Sequence, residues 1–340
     1  MKFEKEEIIK QICKIREEIG HQKVNPSIKD IKFDEKHRNM LIITPDRPEK
    51  STIIGKGGWV VGKLKEELNI NSIHIEAYPD ILLKEYKIKL AQNKLYELLK
   101  FQDLNDSKPL INLNKLLSQR LENIHDLLAI LNNFENVEEE KEKCAVVALS
   151  GGVDSSLSLI IAKTMGFNPI AVTVNPGNII LPKYFQKNVE KLSNKLKVKH
   201  HYIEVEMDDI IKDSLTGNIH PCGRCSKVIK EAILNYTKKN NVPFLIYGDL
   251  LTTGSQSITM EEGIVKISLP AMLSANKGEI KNITSKYDVL KIGGYGCPLI
   301  NEVHKKYPHM RKFSIQRVLR ETRAGILEPG EALEMIIKTI

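Results

Sequence analysis

The residues best able to do chemistry are one short loop and three cysteines. The loop is Ser150-Gly151-Gly152-Val153-Asp154-Ser155, set between a fully apolar run at 144–149 and a helical pattern reaching about residue 165. Glycines allow a tight turn and close backbone approach to a ligand. Free N–H groups at the helix start, with its dipole, suit an anion. Ser150 and Ser155 add hydroxyl donors, and Ser156 is assigned to the same nucleotide-binding set as Gly151 and Gly152. Asp154 would repel a phosphate unless a cation lay between them, so Mg²⁺ shared by Asp154 and phosphate oxygens is expected. An ordinary Gly–Asp turn is the plain alternative. The Gly-Lys-Ser/Thr ending of a Walker A loop is absent.

Cys222 and Cys225 form a C-x-x-C in Pro221-Cys222-Gly223-Arg224-Cys225, and Cys297 lies in Gly293-Gly294-Tyr295-Gly296-Cys297-Pro298. A C-x-x-C serves zinc, redox dithiol or iron–sulfur chemistry. Structural zinc takes four protein ligands, and this set supplies three. Three thiolates with one open iron fit a [4Fe–4S] cluster; the flanking glycines would let the backbone wrap it. A persulfide with a resolving thiol is the second reading, and zinc the third. Cys144 starts the strand before the loop, roughly 20 Å from it at ~3.3 Å per residue. Cys13 lies near the N-terminus, so neither is a natural fourth ligand.

These groups need a scaffold. Apolar runs at 144–149, 169–174, 202–205 and 244–247 alternate with helical segments at 185–196 and 226–239. Near-continuous apolar strands alternating with helices indicate a parallel sheet covered on both faces, an α/β doubly wound domain. Asn175 and Tyr247-Gly248-Asp249 end two of these strands, and ligands bind at the carboxyl ends of such strands. Asp249 is a candidate metal or substrate contact, or a capping turn residue. His200-His201 reads as the edge of a strand.

The front of the chain runs helix (4–19), strands (28–33 and 40–43), Gly55-Lys56-Gly57-Gly58, a helix through Leu68, and a strand at Ser72–Ala77. Pro79-Asp80 reads as a break. Residues 81–134 read as a helical connection, with Leu82, Leu83, Tyr86, Leu90, Leu95, Leu98 and Leu99 on one stripe. The mostly acidic run 135–142 reads as a solvated linker. Three parts are expected: 1–79, 80–142 and 143–340.

The chain has 340 residues and a formal net charge of +8, with 41% hydrophobic and 28% charged residues. That is the composition of an ordinary globular protein. No apolar run approaches the ~18 residues of a membrane helix, and acidic residues stand where a signal peptide would be apolar. A cytoplasmic, reducing location follows as the expectation, with cysteines unpaired. The positive balance permits a nucleic-acid partner.

The Ser150–Ser155 sequence after a strand resembles the signature of the PP-loop ATP pyrophosphatase family, a resemblance covering about residues 143–320. It implies the fold of the adenine nucleotide alpha hydrolases, cleavage of ATP between its α and β phosphates, and transfer of AMP to a carbonyl-type oxygen that a nucleophile then displaces. It also puts adenine or ribose near Asn175. The C-x-x-C after the third strand, with a single late cysteine, is similar to the tRNA-thiolating branch. That implies a cluster on Cys222, Cys225 and Cys297 holding sulfide, with sulfide or a sulfur-donor protein as source. The zinc-ribbon cysteines, the 4-thiouridine synthetase RNA module and a rhodanese-like domain found in relatives of that branch are not recognisable.

Gly55-Lys56-Gly57-Gly58 resembles the Gly-x-x-Gly loop of a KH domain, of type II if residues 49–54 form a helix; such loops clamp about four nucleotides of RNA. Trp59 is expected in the core, with base stacking as the alternative. Lys305, Lys306, Arg311 and further cations in 304–323 form a second candidate RNA surface. A solvated helix with Phe313, Val318 and Leu319 inward explains that stretch as well. The expected activity is ATP-dependent thiolation of a uridine or cytidine in tRNA or another structured RNA, by a monomer or homodimer. An ATP-dependent ligase or amidotransferase without sulfur chemistry is the alternative. An RNA-binding regulator with a degenerate nucleotide pocket is a third reading, which the intact loop disfavours.

Overall fold

The computed structural model describes residues 3–101, 104–289 and 296–339. The chain divides into two compact units, Met1–Glu85 and Tyr86–Ile340.

The first unit runs α1 (Lys5–Glu18), β1 (Asp30–Asp34), β2 (Asn39–Thr44), α2 (Arg47–Ile54), α3 (Trp59–Glu67), β3 (Ser72–Ala77) and the start of α4 (Tyr78–Leu98). Its three strands lie in the order β1-β2-β3. β1 is antiparallel to β2, and β2 is parallel to β3. Ile8, Ile12 and Ile15 recur at helical spacing and bury α1 against Met40, Ile42, Ile53, Val60 and Leu64. Asp46 caps α2, its carboxylate accepting the Glu49 N–H at 2.9 Å. The glycine loop is a single 3-10 turn, Lys56–Gly58, between α2 and α3.

The sequence expectation needs correction here. Trp59 is not a core residue: it is 67% exposed at the start of α3. Pro79-Asp80 is not a break but the first turn of α4, where proline costs no hydrogen bond. On α4 the buried stripe is Ile81, Ile88, Ala91, Leu95 and Leu98, while Leu82, Leu83 and Tyr86 are exposed. Leu95 and Leu98 are buried as expected; at the start of the helix the buried face is at Ile81, one position and about 100° from Leu82.

The second unit continues with α5 (Lys108–Glu122), α6 (Leu127–Asn132), β4 (Cys144–Ala148), α7 (Val153–Thr164), β5 (Asn168–Asn175), α8 (Lys183–Lys195) and β6 (Lys199–Glu204). Then come α9 (Asp208–Leu215), α10 (Pro221–Lys239), β7 (Phe244–Tyr247), β8 (Ile258–Glu261), β9 (Ile264–Ser268), α11 (Leu269–Met272), α12 (Lys277–Ser285), α13 (Pro298–Lys306), α14 (Arg311–Arg323) and α15 (Pro329–Thr339). The six strands lie in the order β6-β5-β4-β7-β9-β8. All pairs are parallel except β8 with β9. This is an α/β doubly wound sheet, as the apolar runs implied. Ala145, Val146 and Val147 are fully buried in central β4. Val146, Val172 and Leu245 pack with Ile233 of α10, while α7 packs on β4, β5 and β7, its Leu157, Leu159, Ile160 and Ile161 buried. His200-His201 does lie on edge strand β6.

The run 135–142 is mostly exposed, as expected, and is also tied to its neighbours. The Glu140 N–H donates to the Gly166 carbonyl at 2.9 Å. The Glu140 carboxylate accepts the Lys108 N–H at 3.0 Å, and Glu139 pairs with Lys163.

Candidate active site

Strand order reverses between β5-β4 and β4-β7, so the carboxyl end of β4 is a switch point where a crevice opens. The Ser150 loop occupies it. Gly151 has φ +77°, and a Cβ there would stand 2.3 Å from the Phe185 carbonyl oxygen. Gly152 is the N-cap of α7. The Ser155 hydroxyl closes the loop on itself: it accepts the Ser150 N–H at 3.1 Å, contacts the Ser150 hydroxyl at 3.0 Å and donates to the Gly152 carbonyl at 3.0 Å. Asn188 donates to the Gly151 carbonyl at 3.0 Å. Gly248 passes so close that a Cβ there would be 2.7 Å from the Ser155 nitrogen. The Ser158 hydroxyl donates to the Tyr247 carbonyl at 3.0 Å, fastening α7 to β7. The loop is therefore held from three sides before any ligand arrives.

Ser156 is fully buried, its hydroxyl without a hydrogen-bond partner among the described residues. Asn175 ends β5, donating to Glu204 at 3.0 Å and accepting the Gly177 N–H at 3.3 Å. Asp249 follows β7 and pairs with Lys230 of α10 at 2.8 Å.

One residue escaped the sequence reading. Lys277 Nζ lies 2.6 Å from both carboxylate oxygens of Asp154. Lys277 is the first residue of α12, whose capping box pairs Asn276 with Glu279. Glu279 in turn meets the fully buried Arg120 of α5 at 2.5 Å. Polar contacts thus join Arg120, Glu279 and Asn276, the residue before the Lys277 that pairs with Asp154. The Asn-x-x-Glu cap was visible in the sequence; nothing local named its partner, 123 residues away.

The C-x-x-C occupies the first turn of α10 rather than a separate turn, with His220 as N-cap. Cys297 is the N-cap of α13. α10 leads into the start of β7, so its N-terminus lies at the carboxyl edge of the sheet, the edge of the Ser150 loop. All three thiols are free of disulfides, Cys225 buried and the others half-buried. Burial pushes Cys222 up to about 11, with Cys297 adding to the rise and Arg317 opposing it. Burial likewise pushes Cys225 up to about 11, with Cys297 and then Cys222 adding to it. Helices α10 and α13, which carry the three thiols, are in contact. The Tyr184 hydroxyl is raised by burial and then by Cys297, and Tyr184 precedes the Phe185 carbonyl that abuts Gly151. The thiol group and the nucleotide loop thus share one side of the sheet.

Among the described residues no three His, Cys, Asp or Glu side chains are arranged to hold a metal ion. Gly293 and Gly294, expected to wrap a cluster, lie outside the described residues. The donor set itself suits a cluster: three thiols, two helix N-termini whose dipoles favour thiolate, and a cation at Arg317. Cys144 sits at the opposite end of β4, its thiol donating to the Lys141 carbonyl at 3.5 Å. Cys13 belongs to the first unit, against the Val24 carbonyl at 3.4 Å.

The candidate RNA residues fare unevenly. Gly55, Lys56, Gly57 and Gly58 form the exposed turn before α3. Lys305 pairs with Glu302 at 2.7 Å, and Lys306 donates to the Leu215 carbonyl at 3.1 Å. The Arg311 Nε is buried without a partner. Val318 is buried, but Phe313 and Leu319 are exposed, correcting the expectation that both point inward.

A parallel sheet with a phosphate-type loop at its switch point and SGGVDS in that loop defines a PP-loop superfamily protein. The family model described as queuosine biosynthesis protein QueC matches residues 144–270. An uncharacterized protein of Methanocaldococcus jannaschii, MJ1638, is 32% identical over 258 residues, covering 74% of this chain and 97% of that protein. The chain belongs to the same family as MJ1638. The tRNA-specific 2-thiouridylase MnmA 2 of Clostridium botulinum is 31% identical over 115 residues, 30% of this chain and 33% of that protein. The 7-cyano-7-deazaguanine synthase of Thermoplasma volcanium is 36% identical over 104 residues, 30% of this chain and 42% of that protein. The U34-tRNA thiolase NcsA of Methanococcus maripaludis, solved with its [4Fe–4S] cluster, superposes with a TM-score of 0.36 and 14% identity over 62% of this chain and 74% of its own. That superposition is too loose to define a shared fold.

Proposed function

We propose that this protein is an ATP-dependent RNA-thiolating enzyme, acting on a uridine or cytidine of tRNA or another structured RNA. The observation that carries the reading is the placement of Cys222, Cys225 and Cys297 at the starts of two helices in contact, α10 and α13, with α10 beginning at the sheet edge that bears the Ser150 loop. Partial likeness to a tRNA-specific 2-thiouridylase supports it. The first unit, with α-β-β-α-α-β order and its glycine turn between two helices, supports an RNA-binding role of KH type.

In the proposed reaction the Ser150 loop N–H groups and Lys277 receive the β and γ phosphates. Gly151 and Gly152 let the backbone approach them. The base carbonyl oxygen attacks the α phosphorus, and pyrophosphate leaves toward the loop. Sulfide then adds to the activated ring carbon, AMP departs with the former carbonyl oxygen, and the sulfide proton is lost. Asp154 is the residue that would hold Mg²⁺, once Lys277 yields it. Cys222, Cys225 and Cys297 would hold a [4Fe–4S] cluster, which supplies an open iron for sulfide. Each thiol must lose its proton first, and Arg317 favours that loss at Cys222.

A second reading has a specific basis. The QueC match over 144–270 and the likeness to 7-cyano-7-deazaguanine synthase favour the same adenylation with a nitrogen nucleophile. Nucleoside mass spectrometry on cells lacking the gene separates the two. Loss of a thionucleoside supports thiolation; loss of a deazapurine with thionucleosides intact overturns it. Anaerobic purification adds a second check. A brown protein whose visible band vanishes in Cys297→Ser is expected, and a colourless protein carrying zinc would remove the cluster.

A further inference from the structure

Trp59 is the only tryptophan of the chain, and it is 67% exposed. Burying an indole is worth a good deal to a fold, and this one forgoes that gain. α3 presents no other large apolar side chain to solvent among the described residues, so this is a lone ring and not an apolar patch. Its surroundings are cationic: residues 50–65 hold four lysines and no aspartate or glutamate. Lys50 is committed to Glu76 at 3.2 Å, and Lys63 to Glu18 at 3.4 Å. Lys56 makes no ion pair or side-chain hydrogen bond among the described residues. The indole Cδ1 lies 3.3 Å from where a Gly57 Cβ would stand, so the ring rests against a residue with no side chain to cover it.

We propose that Trp59 is a stacking platform for an unpaired base of single-stranded RNA whose adjoining phosphate lies at Lys56. This rests on the reading of the first unit as RNA-binding and deepens it by assigning one side chain of this chain to a base. A duplex offers an aromatic ring no free base face, whereas every unpaired base has one. A lone ring among lysines suits a base flanked by phosphates better than an apolar protein surface.

The chain's single tryptophan makes the test direct, on the full-length protein. Its emission is followed while adding an unstructured oligouridylate of about eight nucleotides, within the span of one binding groove. The probes for comparison are an RNA duplex and heparin, a polyanion without bases. Saturable quenching by the single strand alone is expected. With a labelled oligonucleotide, Trp59→Ala should weaken binding about 5- to 150-fold and leave the salt dependence unchanged. Trp59→Phe should recover most of the loss. Lys56→Ala should lower the slope of log affinity against log salt by about 0.7. Single-strand binding that ignores Trp59→Ala overturns the platform and leaves the RNA reading standing. Failure to bind any RNA overturns both. Equal quenching by heparin, preference for duplex, or emission that changes with protein concentration alone would also overturn it, the last pointing to a second copy of the chain.

Discussion

At the scale of residues, the site is a set of close contacts that tolerate little change. Gly151→Ala would place a methyl group 2.3 Å from the Phe185 carbonyl oxygen, at a φ of +77°. A loss of about 1–3 kcal/mol is expected from such overpacking, read as a lower urea midpoint with unchanged slope. Lys277→Ala removes the cation from Asp154 and from the proposed phosphate position. A fall of about 10²–10³ in the rate of ATP–pyrophosphate exchange is expected, with the urea midpoint little changed. Exchange at the wild-type rate would remove Lys277 from the site. Much of this was legible beforehand: the glycines, serines and Asp154 announce an anion loop by type and spacing. Lys277 was not, because only the fold brings positions 154 and 277 together. Trp59 was misread because tryptophan is usually worth more buried, and periodicity cannot show which residue of a helix's first turn stays outside.

At the scale of elements, helix α12 is aimed by its N-cap. Asn276 and Glu279 satisfy each other's backbone, and Arg120 holds Glu279 at 2.5 Å with no exposure to solvent of its own. Arg120→Met strands the Glu279 carboxylate and should cost about 3–5 kcal/mol, visible in denaturant unfolding. Arg120→Met with Glu279→Gln should recover part of it, since the stranded charge is gone. The elements themselves were largely readable. Buried strands of 144–149 and 244–247 stand out as apolar runs, and α1 as a period of isoleucines. The β8–β9 hairpin passed unnoticed, because its Glu262-Gly263 turn lacks the Asn-Gly or Asp-Gly signal and its strands are short. Pro221 before the C-x-x-C is a helix-start signal, and α10 does begin there.

At the scale of the whole molecule, protonation of the thiols links the site to global stability. Cys222 and Cys225 stay protonated in the folded protein up to about 11, against 9.0 for an ordinary thiol. Between about pH 9 and 11 the folded chain therefore binds more protons than the unfolded one. Stability is full below pH 9 and falls as pH rises through that window. In metal-free protein, urea midpoints across it should decline, and Cys222→Ser with Cys225→Ser should flatten the decline. A steady midpoint in the wild type would contradict the burial of these thiols. The division at Glu85 and Tyr86 also predicts separable losses. Trp59→Ala should spare ATP–pyrophosphate exchange, and Lys277→Ala should spare oligonucleotide binding.

The Lys277–Asp154 pair has one more consequence. In the free protein the carboxylate is already neutralised by a cation built into the chain. A divalent ion arriving alone must compete with that lysine, and a nucleotide arriving alone finds the lysine engaged elsewhere. In the proposed reaction, an ion arriving with the nucleotide would take the aspartate and release the lysine to the phosphates, so each ligand would do the other's work. Their affinities must then rise reciprocally and by the same factor. Lys277→Ala would uncouple them, turning two interdependent titrations into two independent ones.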